Sequence, residues 1–272
     1  MKKNLSSIIT CAVLLTSVFI APIADAAKAD FSGLSSKDLA NKVLSLSSKQ
    51  VKSEQKSLES AIAKLSDKEF DSFIHNLVMA NKGDDKELKD KLKPIGVELE
   101  TKKNDRIGPT AIEAGDLNFS VSSAKRTGES FYRLIASWDP DISEVYPATY
   151  DLVSIEWDPK VGQYYSSNVG STSYTTARDG SKRLEGVYLF NVHDYKLGFG
   201  SYAAVYVTKK TNSTLEYGSK YVHTYDTVSW SGNFQANFTW EKLGPTGGAS
   251  FSLSPSMTEK SWQVWDDGAL EW

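Results

Sequence analysis

The chain is almost devoid of cysteine: among its 272 residues the single cysteine is Cys11. One cysteine can form neither a disulfide within the chain nor a cysteine-based zinc site, so stability has to come from a packed core. Cys11 lies inside an apolar run over residues 8–20 that continues well past it. A lipid-modified cysteine would stand at the end of such a run, so we do not expect a lipoprotein.

Tyrosine and tryptophan are absent from the first 131 residues. All 7 Trp and all 13 Tyr fall between Tyr132 and Trp272, and residues 27–130 contain neither. The first part is instead rich in Lys, Glu, Ser and Leu, whereas the second is rich in aromatic residues, Ser and Thr. Aromatic residues and Thr are enriched in strands and Leu, Lys and Glu in helices. The composition therefore predicts a helical part followed by an all-β part.

Long apolar runs are absent after residue 20, and the run that precedes it has the features of a secretory signal. Lys2 and Lys3 supply positive charge before the run, and residues 24–26 supply small side chains after it. We predict a signal peptide over residues 1–26 and therefore a secreted, extracellular or cell-surface bacterial protein. The run is shorter than the ~20 residues that a spanning helix needs, so no transmembrane segment is expected after signal removal. An uncleaved membrane anchor is the alternative.

Residues 27–97 are predicted to form a helical region of short amphipathic helices. The clearest start is a capping-box pattern at Ser66 and Glu69, whose side chains satisfy reciprocal backbone donors. Apolar residues then recur on one helical face: Phe70, Phe73, Ile74, Leu77 and Val78. The region is open to three interpretations, namely a pro-region, a spacer, or a subdomain packed on the β part.

Residues 98–113 are polar and contain Gly108-Pro109, so we predict a linker there. In residues 114–272 apolar residues recur at every second position, as in strands. The clearest such faces are formed by two sets: Tyr132, Leu134, Ala136 and Trp138 in one, and Val153, Ile155 and Trp157 in the other. Roughly ten short strands separated by turns are typical of a sandwich. We therefore predict an α+β protein by segregation, with N-terminal short helices followed by an all-β, sandwich-like antiparallel domain.

Residues 228–240 show the strictest alternation in the chain. Trp230, Phe234, Phe238 and Trp240 fall on even positions, and uncharged polar residues fill the odd ones. A membrane-inserted β-hairpin needs this pattern, and a half-buried strand of a soluble sheet shows it as well. We expect either a hairpin with a three-residue loop at Gly232 or one long strand with a bulge there. A membrane-active toxin or antibacterial protein is the corresponding functional alternative.

Catalytic signatures are absent. There is no Gly-x-Ser-x-Gly elbow, and the β domain holds only His193 and His223, each near an aspartate in sequence. We therefore do not expect an enzyme, and a secreted hydrolase is a second alternative. The formal net charge is −3 and no basic stripe occurs, so no nucleic-acid partner is expected.

Acidic residues suggest one candidate metal site. Asp139, Asp141 and Glu144 fall in one predicted loop, and Ca²⁺ takes several loop oxygens. Ordinary turn-forming aspartates are the alternative. Apart from this possible Ca²⁺ site, no cofactor is expected.

Tyrosines in predicted loops and at strand ends give the remaining functional lead. Exposed tyrosines offer flat amphipathic surfaces to sugars, peptides or lipid headgroups. We hypothesise ligand binding by Tyr164, Tyr165, Tyr174 and Tyr221, with a place in the core as the alternative for each. The favoured interpretation is an extracellular or cell-surface protein whose aromatic-rich β-sandwich is a binding module for a cell-wall or matrix component.

Overall fold

The computed structural model describes residues 30–101, 117–140, 151–178, 181–193, 200–224, 237–238, 251–252 and 261–272. The predicted signal peptide, residues 1–26, lies outside these ranges. Within them, no helix is both long enough and apolar enough to cross a bilayer.

The N-terminal part of the described chain is helical, as the sequence predicts. Its α-helices are α1 Ser36–Ser45, α2 Ser48–Ser53, α3 Gln55–Lys64, α4 Asp67–Ala80 and α5 Asp85–Leu92. The predicted capping box opens α4: the Ser66 N–H donates to the Glu69 carboxylate at 2.8 Å, and Ser66 Oγ accepts from the Glu69 N–H. A second capping box, formed by Ser47 and Gln50, opens α2.

The strands form two antiparallel sheets in the described ranges. The strands are β1 Val97–Thr101, β2 Leu117–Arg126, β3 Phe131–Pro140, β4 Asp151–Trp157, β5 Gly162–Val169, β6 Thr175–Ala177, β7 Val187–Val192, β8 Ser201–Lys209, β9 Leu215–Thr224, β10 Asn237–Phe238, β11 Phe251–Ser252 and β12 Ser261–Leu270. The order β1-β2-β3-β8-β5 makes the middle sheet, and β12-β9-β4-β7-β6 makes the outer sheet. The short strands β10 and β11 pair separately.

The three layers enclose two apolar cores. One core lies between the helices and the middle sheet, where Phe73, Ile74 and Leu77 of α4 join Ile135 and Ala204. The other core lies between the two sheets, and its members include the residues predicted to share strand faces: Tyr132, Leu134, Ala136, Trp138, Val153, Ile155 and Trp157. The predicted α+β layout with a sandwich-like domain is therefore confirmed, and the helical region packs on the sandwich.

Strand β1 lies where the polar composition predicts the start of a linker. It pairs with β2 along its whole length, from Val97 opposite Arg126 to Thr101 opposite Ser122. Its side chains alternate between buried and exposed, and Leu99 is buried in the core beneath the helices. Glu98 and Glu100, on the opposite face, account for the polar composition of the segment. The described chain is thus still part of the fold at Thr101.

A buried arginine joins helix α4 to the middle sheet. Arg133 of β3 is 0% exposed, and its Nη2 lies 2.7 Å from Asp67 Oδ1. Its Nε lies 2.8 Å from Asp71 Oδ1, out of line for a hydrogen bond, so this contact is an ion pair. Asp71 Oδ2 accepts hydrogen bonds from Tyr206 Oη at 2.6 Å and from Asn168 Nδ2 at 3.0 Å. These contacts fix α4 on the sheet in one orientation.

Candidate functional site

A cavity of about 390 Å³ opens where one end of the sandwich meets helix α4. The volume lies in the roughly 300–1,000 Å³ range of ligand pockets. Helices α1 and α4, the loop before β6, and the ends of several strands all contribute to its wall. The lining residues in the described ranges are Lys37, Ser72, His75, Asn76, Leu117, Trp138, Gly170, Ser171, Tyr174, Thr175, Val192, His193, Gly200, Ser201, Tyr202 and Tyr221.

Four aromatic side chains line this cavity: Trp138, Tyr174, Tyr202 and Tyr221. Trp138 and Tyr221 come from the two facing sheets, and their rings are 5.9 Å apart at an angle of 60°. Tyr202 Oη donates to the Lys68 carbonyl at 2.9 Å, which fixes this ring beside α4. Tyr174 is half-buried. The wall thus combines rigid rings with one tyrosine that is partly open to solvent.

The loop before β6 is built to hold Tyr174 and Thr175 at the cavity. The N–H of Thr175 donates to the Ser171 carbonyl at 2.8 Å, and the N–H of His193 donates to the Tyr174 carbonyl at 2.7 Å. Gly170 precedes this turn, and a Cβ there would come within 3.1 Å of the Tyr202 ring. The close approach of the loop to β8 therefore favours glycine at position 170.

Two buried polar atoms of lining residues have no hydrogen-bond partner in the described chain: Thr175 Oγ1 and His75 Nδ1. Thr175 is 0% exposed and His75 is 9% exposed. An unpaired buried donor or acceptor costs about 1–3 kcal/mol, so each calls for an explanation such as water or a ligand. Ser72 and Asn76 add polar atoms to the wall, although Asn76 Nδ2 already donates to the Ser72 carbonyl at 2.6 Å.

The described lining of the cavity includes three titratable nitrogen groups, those of Lys37, His75 and His193. Burial and the nearby Lys37 ammonium lower the pKa of His75 from 6.5 to about 4. Burial also lowers the pKa of His193. Both imidazoles are consequently neutral at pH 7 and able to donate or accept a hydrogen bond. Among the described lining residues Lys37 is the cationic side chain, and none is acidic.

Tyr221 is held in place by a histidine–aspartate pair behind it. Asp151 accepts a hydrogen bond from Tyr221 Oη through Oδ2, and its Oδ1 lies 2.8 Å from His223 Nδ1. Both Asp151 and His223 are 1% exposed, and neither belongs to the described lining of the cavity. The aspartate that pairs with His223 comes from β4, which is distant in sequence. It is not the aspartate that lies near His223 in the sequence. This geometry gives the pair a positioning role rather than contact with a ligand.

The structure divides the four predicted tyrosines into two places. Tyr174 and Tyr221 come together in the cavity. Tyr164 and Tyr165 lie on the edge strand β5, and the Tyr164 ring stacks on Tyr188 with centroids 5.6 Å apart. Tyr165 is 59% exposed and its ring stacks on Phe131, with centroids 5.3 Å apart. The four side chains therefore do not form one surface.

Several lining residues were not among the residues singled out from the sequence. Lys37, His75, Trp138 and Thr175 lie on four different elements, and their neighbourhood depends on the docking of α4 against the sandwich. In the sequence, Trp138 belongs to a predicted strand face and His75 falls within the predicted helix that begins after Ser66, so both have a structural explanation. One feature of the sequence points to this site: a histidine buried among the apolar residues of α4 needs a polar partner.

The remaining site predictions fall mainly outside the described residues. Asp139 is exposed at the end of β3, whereas Asp141 and Glu144 are not described. Within the described ranges, no three His, Cys, Asp or Glu side chains lie together as a metal site requires. Of the four aromatic residues in the membrane-hairpin hypothesis, Trp230, Phe234 and Trp240 lie outside the described residues. Phe238 belongs to β10 and is paired with Phe251 of β11.

Comparisons with known proteins give weak structural similarities only. No protein-family model and no curated protein matches the chain. The chain is similar to the C-terminal domain of the Streptococcus pyogenes antigen I/II-family protein AspA, with 13% identity over 39% of this chain and 50% of that chain, and a TM-score of 0.28. It thus spans half the length of that structure.

Two further similarities cover more of the chain. The cohesin module of a Clostridium perfringens family 33 glycoside hydrolase shows 8% identity over 63% of this chain and 96% of that one, with a TM-score of 0.28. The Clostridium perfringens NetB toxin in its membrane-inserted form shows 6% identity over 64% and 100%, with a TM-score of 0.29. Values this low assign neither a family nor a function to the chain.

Proposed function

We propose that the protein is a secreted bacterial binding module that takes one unit of a cell-wall or matrix polymer into the cavity at the end of its sandwich. The observation that carries the proposal is the composition of the cavity wall. Aromatic residues from both sheets line the same cavity as Thr175 and His75, each of which has a buried polar atom without a partner in the described chain.

The chemistry of a sugar unit fits such a wall. A sugar ring has an apolar face that packs against an aromatic ring, and hydroxyl groups that donate and accept hydrogen bonds. Tyr174 and Trp138 supply the rings, and Thr175, His75 and Ser72 supply polar partners. Because most of these side chains are held by the surrounding fold, binding requires little ordering of the protein, which favours affinity.

Co-sedimentation of residues 27–272 with purified cell wall, insoluble polysaccharides and anionic liposomes tests the function. We expect retention on cell wall or a polysaccharide but not on liposomes. Tyr174→Ala should abolish retention, and Thr175→Val should weaken it. Tyr165→Ala is the matched control, because this tyrosine is exposed outside the cavity. Thermal unfolding of each variant checks that it is folded.

Four outcomes would contradict the proposal. Retention that survives Tyr174→Ala and Thr175→Val in folded protein would place binding elsewhere, and its loss in Tyr165→Ala would direct attention to the β5 edge. Retention on liposomes with dye leakage would favour the membrane-active alternative. Failure to bind any of these materials would refute polymer binding.

The export of the protein has its own test. We expect N-terminal sequencing of the protein from culture medium or from the cell surface to begin at Ala27. A chain that keeps residues 1–26 in the membrane would support the anchor instead.

A further inference from the structure

We infer that the unit bound in the cavity is an acidic sugar, whose carboxylate lies near Lys37 and His75 while its ring packs among the aromatic side chains. This inference rests on the proposed function and adds the chemical class of the ligand. It depends on the position of the charges around the cavity, not on the overall charge of the chain, which is negative.

The charge on the described cavity wall has one sign. Lys37 of α1 is exposed and lines the cavity, and no acidic residue is found in its described lining. Lys37 is close enough to His75 for its charge to lower the pKa of that imidazole. A carboxylate in this position would be attracted by the ammonium and would accept a hydrogen bond from the neutral imidazole.

Asp71, the acidic residue of α4 nearest to His75 in sequence, is already engaged in other contacts, and Asp139 of β3 lies beside the lining residue Gly200. Asp71, one turn before His75 on α4, is paired with Arg133 of β3 and accepts from Tyr206 of β8. Tyr202 of β8 lies against His75 with ring centroids 5.5 Å apart, and its hydroxyl donates to the Lys68 carbonyl. The charge that acts on His75 is that of Lys37.

The rest of the wall matches a hydroxylated ligand rather than a simple anion. Thr175 Oγ1 is buried and unpaired in the described chain, and Ser171 and Ser201 also line the cavity. Trp138 and Tyr174 supply apolar contact area that an inorganic anion or a short carboxylic acid would not use. A sugar ring that carries a carboxylate uses both features together.

Calorimetric titration with acidic sugars, each beside its uncharged methyl ester, tests the inference. The probes are galacturonate, glucuronate, N-acetylmuramate and N-acetylneuraminate. We expect at least one acid to bind more tightly than its ester. Lys37→Gln should weaken binding of that acid about two- to fivefold, the range of an exposed ion pair, and leave its ester unchanged. Thr175→Val should weaken both by about two- to tenfold.

Lys42→Gln is the control, because Lys42 lies on the same helix and is absent from the described lining. Equal affinity for acid and ester, or no effect of Lys37→Gln, would overturn the acidic-sugar inference while polymer co-sedimentation could still succeed. Loss of polymer binding with retained binding of the acids would overturn the polymer-binding function instead. Failure of all eight probes to bind would refute the inference.

Discussion

Arg133 joins the helices to the sandwich through ion pairs with two aspartates of α4. It is fully buried, and it contacts Asp71 and Asp67 of α4 and Glu129 of the β2–β3 turn. Its guanidinium also lies 4.7 Å from the centre of the Phe70 ring. The planar, permanently charged guanidinium contacts several carboxylates at once. A lysine ammonium would not reproduce this set of contacts.

Replacing Arg133 with Met tests this role. The variant keeps an unbranched apolar side chain but leaves Asp71 buried without its cation. We expect a loss of about 3–5 kcal/mol in the free energy of unfolding, measured with urea. The double variant Arg133→Met/Asp71→Leu should recover part of that loss, because no charge is then left unpaired.

The exposed pair of Lys182 and Glu185, 3.1 Å apart, provides the control. Lys182→Met should cost at most about 1 kcal/mol. A similarly small effect of Arg133→Met would mean that the helices dock without the buried network.

His75 makes the stability of the fold depend on pH. Its pKa falls from 6.5 to about 4 on folding, because burial and Lys37 disfavour the imidazolium. The unfolded chain therefore binds a proton that the folded chain does not. The contribution of His75 is complete above about pH 6.5 and is lost as the pH falls towards 4.

Urea unfolding of the wild type and His75→Gln at pH 7.5 and pH 4.5 measures this contribution. The stability advantage of the wild type should shrink by about 2 kcal/mol at the lower pH. Burial raises the pKa of Asp71 to about 6, although Arg133 opposes the shift, and this effect has the opposite sign. Because Asp71 is present in both proteins, its effect cancels in the difference. An advantage that is equal at both pH values would contradict the assignment.

At the scale of elements, the sequence predicts strands and helices well where their pattern is long. The capping box of α4 and the shared faces of β3 and β4 are visible because a local rule determines them. Strand β1 has only five residues, two of them glutamates, so its alternation is hidden in polar composition. The cavity could not be predicted, because α1, α4 and both sheets meet there through long-range packing.

Strand β1 offers a direct comparison between its two faces. Leu99 is buried beneath the helices, whereas Glu100 points to the other side and pairs with Lys89 at 2.7 Å. Leu99→Ala should reduce the free energy of unfolding by about 2–5 kcal/mol, as expected for a core leucine. Glu100→Ala should cost less than about 1 kcal/mol, because its ion pair is half exposed. Equal small effects in urea unfolding would indicate that this segment behaves as a linker.

At the scale of the whole molecule, the helices and the sandwich share the middle sheet. One face of this sheet carries Ile135, Tyr202, Ala204 and Tyr206 into the helical core, and the other carries Leu134, Ala136 and Val205 into the sandwich core. Removing the helices would expose the first set to water and leave Arg133 without Asp67 and Asp71. The predicted sandwich alone, residues 114–272, would also lose β1.

We therefore expect residues 27–272 to unfold in one cooperative step. All seven tryptophans lie at or beyond Trp138, so tryptophan fluorescence reports on the β part alone, whereas helical circular dichroism reports mainly on residues before it. The two signals should give coincident urea transitions, which is the criterion for two-state behaviour. Residues 114–272 expressed alone should show no cooperative transition, because an exposed apolar sheet face favours aggregation. Separate transitions, or a stable isolated sandwich, would show that the helical region is a detachable pro-region or spacer.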